Sequence, residues 1–408
     1  MHAAGRTLLL SAVFPPQVGG SGRYLWEVYR RLPPDDFVVA AGTHRGQAEF
    51  DQAAALEVVR LPLEPDDPGF FSRRGLRDYS RSVAALRRLA RAHRIGRVHC
   101  ARCVPEGWMA WLLKRWCGLP YLCFAHGEEV KLADSGPGAG VMSSRQVRWM
   151  AGQALRGADL LVANSHNTRR ILLEEWGLPP DRIALLHPGV DVHRYVPAPQ
   201  APEVRARLGW GRRPVLLTVA RLQQRKGHDR MIRALHRVRR AAPDVLYAIV
   251  GDGPERASLE ALVVAEGLGG HVQFLGEVDD ETVIHCYQQC DLFVHPNRQV
   301  GPDIEGFGLV LLEAQACGKP VVAGASGGTA ETMRIPETGR VVPCDDPREL
   351  AELVAELLAD AGLLARMGAA ARLWAEAQFD WDAVAARAGR IFGVEPRPVA
   401  GPVVGPGA

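Results

Sequence analysis

The sequence predicts an α/β protein made of two doubly wound parallel sheets, on three observations. Its 408 residues exceed one ordinary core and suit two domains of roughly 200 residues each. Short apolar, β-branched runs alternate with helix-length amphipathic segments, the pattern of strands buried on both faces and joined by crossover helices. That alternation stops once, in a Pro-rich stretch, and then restarts.

The first strands are expected at 8–14, 37–41, 58–61, 97–100, 121–125 and 160–164. The opening run is too short to span a bilayer, and Pro15 and Pro16 stand where a signal peptide would need small residues. It reads as a strand, and 1–191 as a first domain. Residues 192–213, with Pro197, Pro199, Pro202 and Gly209, read as a linker. Strands resume at 214–220, 245–250, 272–275, 292–295, 320–323 and 340–342, giving a second domain at 214–378 that ends in a long helical region, 347–377. One more amphipathic helix follows at 379–393, and the Pro, Gly and Val tail at 394–408 is expected to be disordered.

Composition narrows the function. Hydrophobic residues make up 47% and charged residues 23%, the balance of a soluble globular protein. A net charge of +3 on 49 basic and 46 acidic residues gives no field that would select nucleic acid. The eight cysteines are scattered and read as reduced thiols in a cytoplasmic protein; Cys100 and Cys103 have metal-like spacing but lack a second pair. Residues 72–97 carry nine arginines against the single acid Asp78, with Tyr79, Val83, Leu86 and Ala90 at helical spacing. Such a helix either covers the sheet with a solvated basic face or docks peripherally on anionic lipid.

The richest segment runs from His295 through Glu305-Gly306-Phe307-Gly308 into a helix carrying Glu313. Glycines at a helix start let backbone N–H groups approach a ligand closely. The two carboxylates, eight positions apart, suit hydroxyls on different parts of one extended ligand. Arg221 and Lys226 follow the first strand of the second domain, at a carboxyl end where open α/β sheets bind ligands. Together they suit a diphosphate. In the first domain, Gly19 and Gly20 lie in a Gly-rich turn before a helix expected from Arg23, and His126 follows the strand 121–125 beside Glu128 and Glu129. A histidine or glutamate there is ordinarily structural or solvated.

Arg221 with Lys226-Gly227, Gly251-Asp252-Gly253-Pro254, Phe274 to Val278, Glu305 to Gly308 with Glu313, and Ser326-Gly327-Gly328 with Glu331 resemble the signature series of the family 4 retaining glycosyltransferases. The resemblance extends over about residues 8–392. It implies the GT-B fold, two Rossmann-like domains facing across a cleft, with the helix at 379–393 crossing back to the first. It further implies that Arg221, Lys226 and Gly20 hold the donor diphosphate and that Glu313 holds the ribose. Glu305, with the backbone of Gly306, Phe307, Gly308 and Leu309, would meet the donor sugar, and backbone near Val278 the base. His126 would contact the sugar as a catalytic group with Glu305, and Gly19, Gly20 and Glu128 would lie toward the acceptor.

The reaction so implied is transfer of a hexose from a nucleotide diphosphate sugar to a lipid or saccharide acceptor, with retention. No cofactor and no metal is expected, since cationic side chains and amides can stabilise the leaving diphosphate. The loop 298–305 resembles that of the phosphatidylinositol mannosyltransferase branch, which points to GDP-mannose; a UDP-sugar donor stays open. A nucleotide-sugar epimerase on the same fold is the alternative from another class. It would release sugar and nucleotide without an acceptor. A dinucleotide dehydrogenase fits poorly, because no strand leads into a clean Gly-x-Gly-x-x-Gly.

Overall fold

A computed structural model describes residues 5–17, 19–132, 142, 144–301 and 303–395; the expected tail at 396–408 lies outside the described residues, as does the side chain of Glu128. The chain forms two compact units, one of residues 1–188 with 381–408 and one of 189–380.

The first unit holds a seven-stranded sheet of β1 (Arg6–Ser11), β2 (Phe37–Ala41), β3 (Glu57–Arg60), β4 (Ile95–Cys100), β5 (Tyr121–Ala125), β6 (Leu160–Ala163) and β7 (Ile183–Leu185). Their order is β3-β2-β1-β4-β5-β6-β7, and every pairing is parallel. Leu8, Leu9 and Leu10 are all fully buried, as a central strand covered on both faces requires. The sequence had given no hint of β7, which is three residues long.

The second unit holds β8 (Val215–Val219), β9 (Leu246–Val250), β10 (Val272–Gly276), β11 (Leu292–His295), β12 (Val321–Gly324) and β13 (Gly339–Val342) in the order β10-β9-β8-β11-β12-β13, again all parallel. The strand order reverses between β8 and β11. Loops leaving neighbouring strands there diverge and open a crevice at their carboxyl ends.

Three expectations need correction, and a fourth had been left open between two readings. The stretch 192–213 is no free linker: Val192, Tyr195, Leu208 and Trp210 join the core of the second unit, and a helix forms at Pro202–Arg207. Its Arg205 is buried because its guanidinium finds the carbonyls of Gly211, Arg213 and Gln289. The helical region 347–377 is two helices, Pro347–Ala359 and Ala361–Phe379, since the Asp360 carboxylate accepts from Leu363 N at 2.8 Å and starts a new one. The helix expected from Arg23 begins at Gly20, and a Cβ on Gly22 would come within 2.7 Å of Val13 O, so the glycine seats the helix on the end of β1. Last, helix Arg73–Ala92 buries Tyr79, Val83, Leu86, Leu89 and Ala90 in its own unit and exposes Arg73, Arg74, Arg77, Arg81, Arg88 and Arg91. Its apolar stripe is therefore not free to enter a lipid surface. Among the described residues no helix is long and apolar enough to cross a membrane.

Candidate functional site

In the second unit, the loop after β8 carries exposed Arg221 and then a 3-10 turn, Gln224–Lys226, before helix His228–Ala241. Gly227 joins turn to helix with φ +71°, and a Cβ there would lie 1.8 Å from Pro296 O. This close approach needs glycine on both counts. It brings the β8 loop onto the loop that leaves β11, where Arg298 N donates to Arg225 O at 2.8 Å and the Arg298 guanidinium grips both oxygens of Asp229, at 2.7 and 3.2 Å.

Where these loops meet, Glu305 is 8% exposed and its Oε2 takes three donors: Arg225 Nη1 at 2.8 Å, His295 Nε2 at 3.0 Å and Lys226 Nζ. Burial pushes the Glu305 carboxyl up, but Lys226, the His295 hydrogen bond and Arg225 outweigh it and hold the acid well below its ordinary range. It is a carboxylate. His295 is fully buried, and burial pushes its own basicity down; since the carboxylate can only accept, the ring is neutral with its proton on Nε2. All three bonds fall on Oε2, which leaves Oε1 open to a further donor such as a sugar hydroxyl. Lys226 brings three N–H donors and spends one on Glu305, so it can hold the acid and a phosphate oxygen together.

The chain continues through Gly306 to Gly308, which caps helix Leu309–Ala316 with φ +94°. The first-turn amides of this helix have no carbonyl of a preceding turn to bond. Phe307 is 4% exposed and its ring packs 6.0 Å from Phe379, so the residue offers a ligand its backbone alone. Gly327, after β12, closes the site from the far side: a Cβ there would sit 1.7 Å from Glu305 O, which accepts from Gly328 N at 3.1 Å. Glu313 lies farther along the helix and accepts from Tyr287 OH at 2.8 Å. Val278, between β10 and helix Asp280–Gln289, is half-buried against the core beneath.

The first unit presents its predicted residues separately. Gly19 precedes helix Gly20–Tyr29, where Arg23 N donates to Gly19 O at 3.0 Å and the amides before it lack a preceding helical turn. His126 follows β5; its Nε2–H donates to Ala101 O at 3.1 Å, and its backbone N–H donates to Glu129 Oε1 at 3.2 Å. Burial drives its pKa down to about 4. At neutral pH the ring is uncharged, and its side chain also accepts from the backbone N–H of Glu129 as part of a capping box on the short helix Gly127–Val130.

The structure thus brings together Lys226 and Glu305, which the sequence had assigned separately to diphosphate and sugar, and adds Arg225, His295 and Asp303, which had been given no role. Arg225 Nε holds Asp303 Oδ1 at 3.0 Å while Nη1 holds Glu305. An Arg immediately before the lysine and an Asp two before the glutamate were the available signals.

Comparison with known proteins agrees with this geometry. Residues 18–194 match the profile described as Glycosyltransferase Family 4, and residues 200–374 that of Glycosyl transferases group 1. The GDP-mannose-dependent monoacylated alpha-(1-6)-phosphatidylinositol monomannoside mannosyltransferase of Corynebacterium glutamicum is 34% identical over 97% of this chain and 100% of its own. The GDP-mannose-dependent alpha-(1-6)-phosphatidylinositol monomannoside mannosyltransferase of Mycobacterium tuberculosis is 34% identical over 94% of this chain and 96% of its own. Anabaena HepE, solved in complex with UDP, superposes with a TM-score of 0.76 at 22% identity, covering 95% of this chain and 99% of that one. Sucrose-phosphate synthase of Thermosynechococcus elongatus does so at 0.76 and 24% identity, covering 95% and 98%. At such identities these two show the fold. With two family models matched over most of its length and identity above 30% along nearly the full length of these relatives, this chain belongs to the family 4 glycosyltransferases and has the GT-B fold.

Proposed function

We propose that the protein transfers mannose from GDP-mannose to an inositol phospholipid mannoside, with retention at the anomeric carbon and without a metal. The carrying observation is Glu305, a buried carboxylate held on one oxygen by Arg225, Lys226 and His295 and open on the other. In this reading Arg221 and Lys226, with the amides at the start of helix Leu309–Ala316, stabilise the charge that builds on the leaving diphosphate. Those cations do the work a divalent ion would otherwise do. Glu313 takes the ribose hydroxyls, and backbone beside Val278 meets the base. Glu305 Oε1 orients a sugar hydroxyl. With no side chain among the described residues assigned as a nucleophile, the diphosphate itself draws the acceptor proton as the new bond forms on the face it leaves.

The names of the relatives supply donor and acceptor, and the exposed arginines of helix Arg73–Ala92 favour a lipid one. They would rest on anionic headgroups while the helix's apolar side stays in the core. Incubation with GDP-mannose and a phosphatidylinositol monomannoside, in buffer containing EDTA, is expected to release GDP and give an α-linked product by NMR. A β-linked product sinks retention, loss of turnover with EDTA sinks metal independence, and turnover with UDP-glucose alone sinks the donor. Free mannose formed without acceptor favours an epimerase or hydrolase.

A further inference from the structure

Asp303 has no part in the reaction as described, yet its placement is costly. Burial and the nearby Glu305 charge both push its carboxyl up, against the downward pull of Arg225. Arg225 already has Glu305 as a partner, so balancing that guanidinium does not by itself call for a second acid. The backbone also fixes the residue: Val300 and Asp303 exchange N–H···O bonds, both 3.0 Å, across a tight turn with Gly301 at φ +58°. Arg225 Nε then pins one carboxylate oxygen, Oδ1, at 3.0 Å. The side chain remains 43% exposed, against 10% for Glu305. A carboxylate locked by backbone and guanidinium on one side, and open on the other, is an oriented acceptor tied through Arg225 to Glu305.

We infer that Asp303 is a second donor-sugar contact: through Oδ2 it accepts a hydrogen bond from a hydroxyl of the transferred sugar, beside the hydroxyl taken by Glu305. Two carboxylates held by one arginine would read two hydroxyls of one ring, and their spacing would set which sugar fits. This rests on the nucleotide-sugar reading above. It differs from a role in holding Arg225 for the diphosphate, because a sugar contact is felt by the nucleotide sugar and not by the bare nucleotide.

Calorimetry separates the two. The wild-type chain is titrated with GDP and with GDP-mannose, UDP-glucose, UDP-galactose and UDP-N-acetylglucosamine, and the sugar nucleotide that binds is carried forward with its monodeoxy analogues. Asp303→Asn, which keeps the size, and Asp303→Ala are checked for unchanged thermal unfolding. Both are expected to bind the nucleoside diphosphate as wild type does, and the sugar nucleotide about tenfold more weakly. For one deoxy analogue, wild type and variants should bind alike, which identifies the hydroxyl. Equal weakening of nucleoside diphosphate and sugar nucleotide, or no weakening of either, overturns the inference and leaves the donor reading standing. A wild-type chain that binds no sugar nucleotide overturns both.

Discussion

Glu305 concentrates two positive side chains and a neutral imidazole on one oxygen, so the consequences of changing it differ from those of changing its partners. Glu305→Gln leaves Arg225 and Lys226, each about one-tenth exposed, facing a neutral amide. Removing one member of such a buried group costs about 3 kcal/mol, so denaturant melts should show a clear loss of stability; an unchanged midpoint would mean that the cations find other partners. Lys226→Ala leaves Glu305 with Arg225 and His295, and its main loss is a cation for the diphosphate. GDP affinity measured by calorimetry should fall more than about tenfold. Lys226 and Glu305 were legible in the sequence because family motifs mark them. Arg225 and Asp303 were not: each stands beside a motif residue, but their pairing joins loops 78 positions apart.

Elements, and the glycines that let them touch, set the site as firmly as its charged groups. Gly327 has φ +68° and lies against the backbone of Glu305, so Gly327→Ala cannot be absorbed by a side chain turning aside. The loop carrying Glu305 must move. Donor affinity is expected to drop severalfold or more although no atom added touches the ligand, and an alanine variant with full affinity would show that the loop is not held there. Most strands were legible as unbroken apolar runs, within a residue or three of their observed ends. β7 escaped because three residues carry no period. The segment 192–213 was misread because its prolines are what a linker would show, while the buried Arg205 that ties it down depends on carbonyls as distant as Gln289.

Across the molecule, three buried histidines make stability depend on pH. Burial lowers His99 and His228 to about 3 and His126 to about 4, below the ~6.5 of an unfolded chain. Below that value the unfolded chain takes up protons that the folded chain refuses, so stability is full at neutral pH and falls as the pH drops toward the folded values. By pH 5 each of the three costs about 2 kcal/mol. Urea titrations at pH 7 and 5 check this; coincident curves would mean the rings are hydrated. The two-sheet plan was readable from alternation alone, whereas the neutral state of these rings was not, because burial belongs to the finished fold.

The division of the chain also fixes an order of synthesis. Trp381, Val384, Ala388 and Phe392 pack into the same core as Leu9, Tyr24 and Phe124. On the ribosome, where about 5–20 residues emerge each second, the second unit is a continuous stretch and can close first. The amino-terminal half must wait, its core unfinished, until residue 392 has been made. A chain stopped after Asp380 should therefore yield a protease-resistant second unit and a first unit that is digested. Of the two units, the one whose translation starts first is the last to be completed.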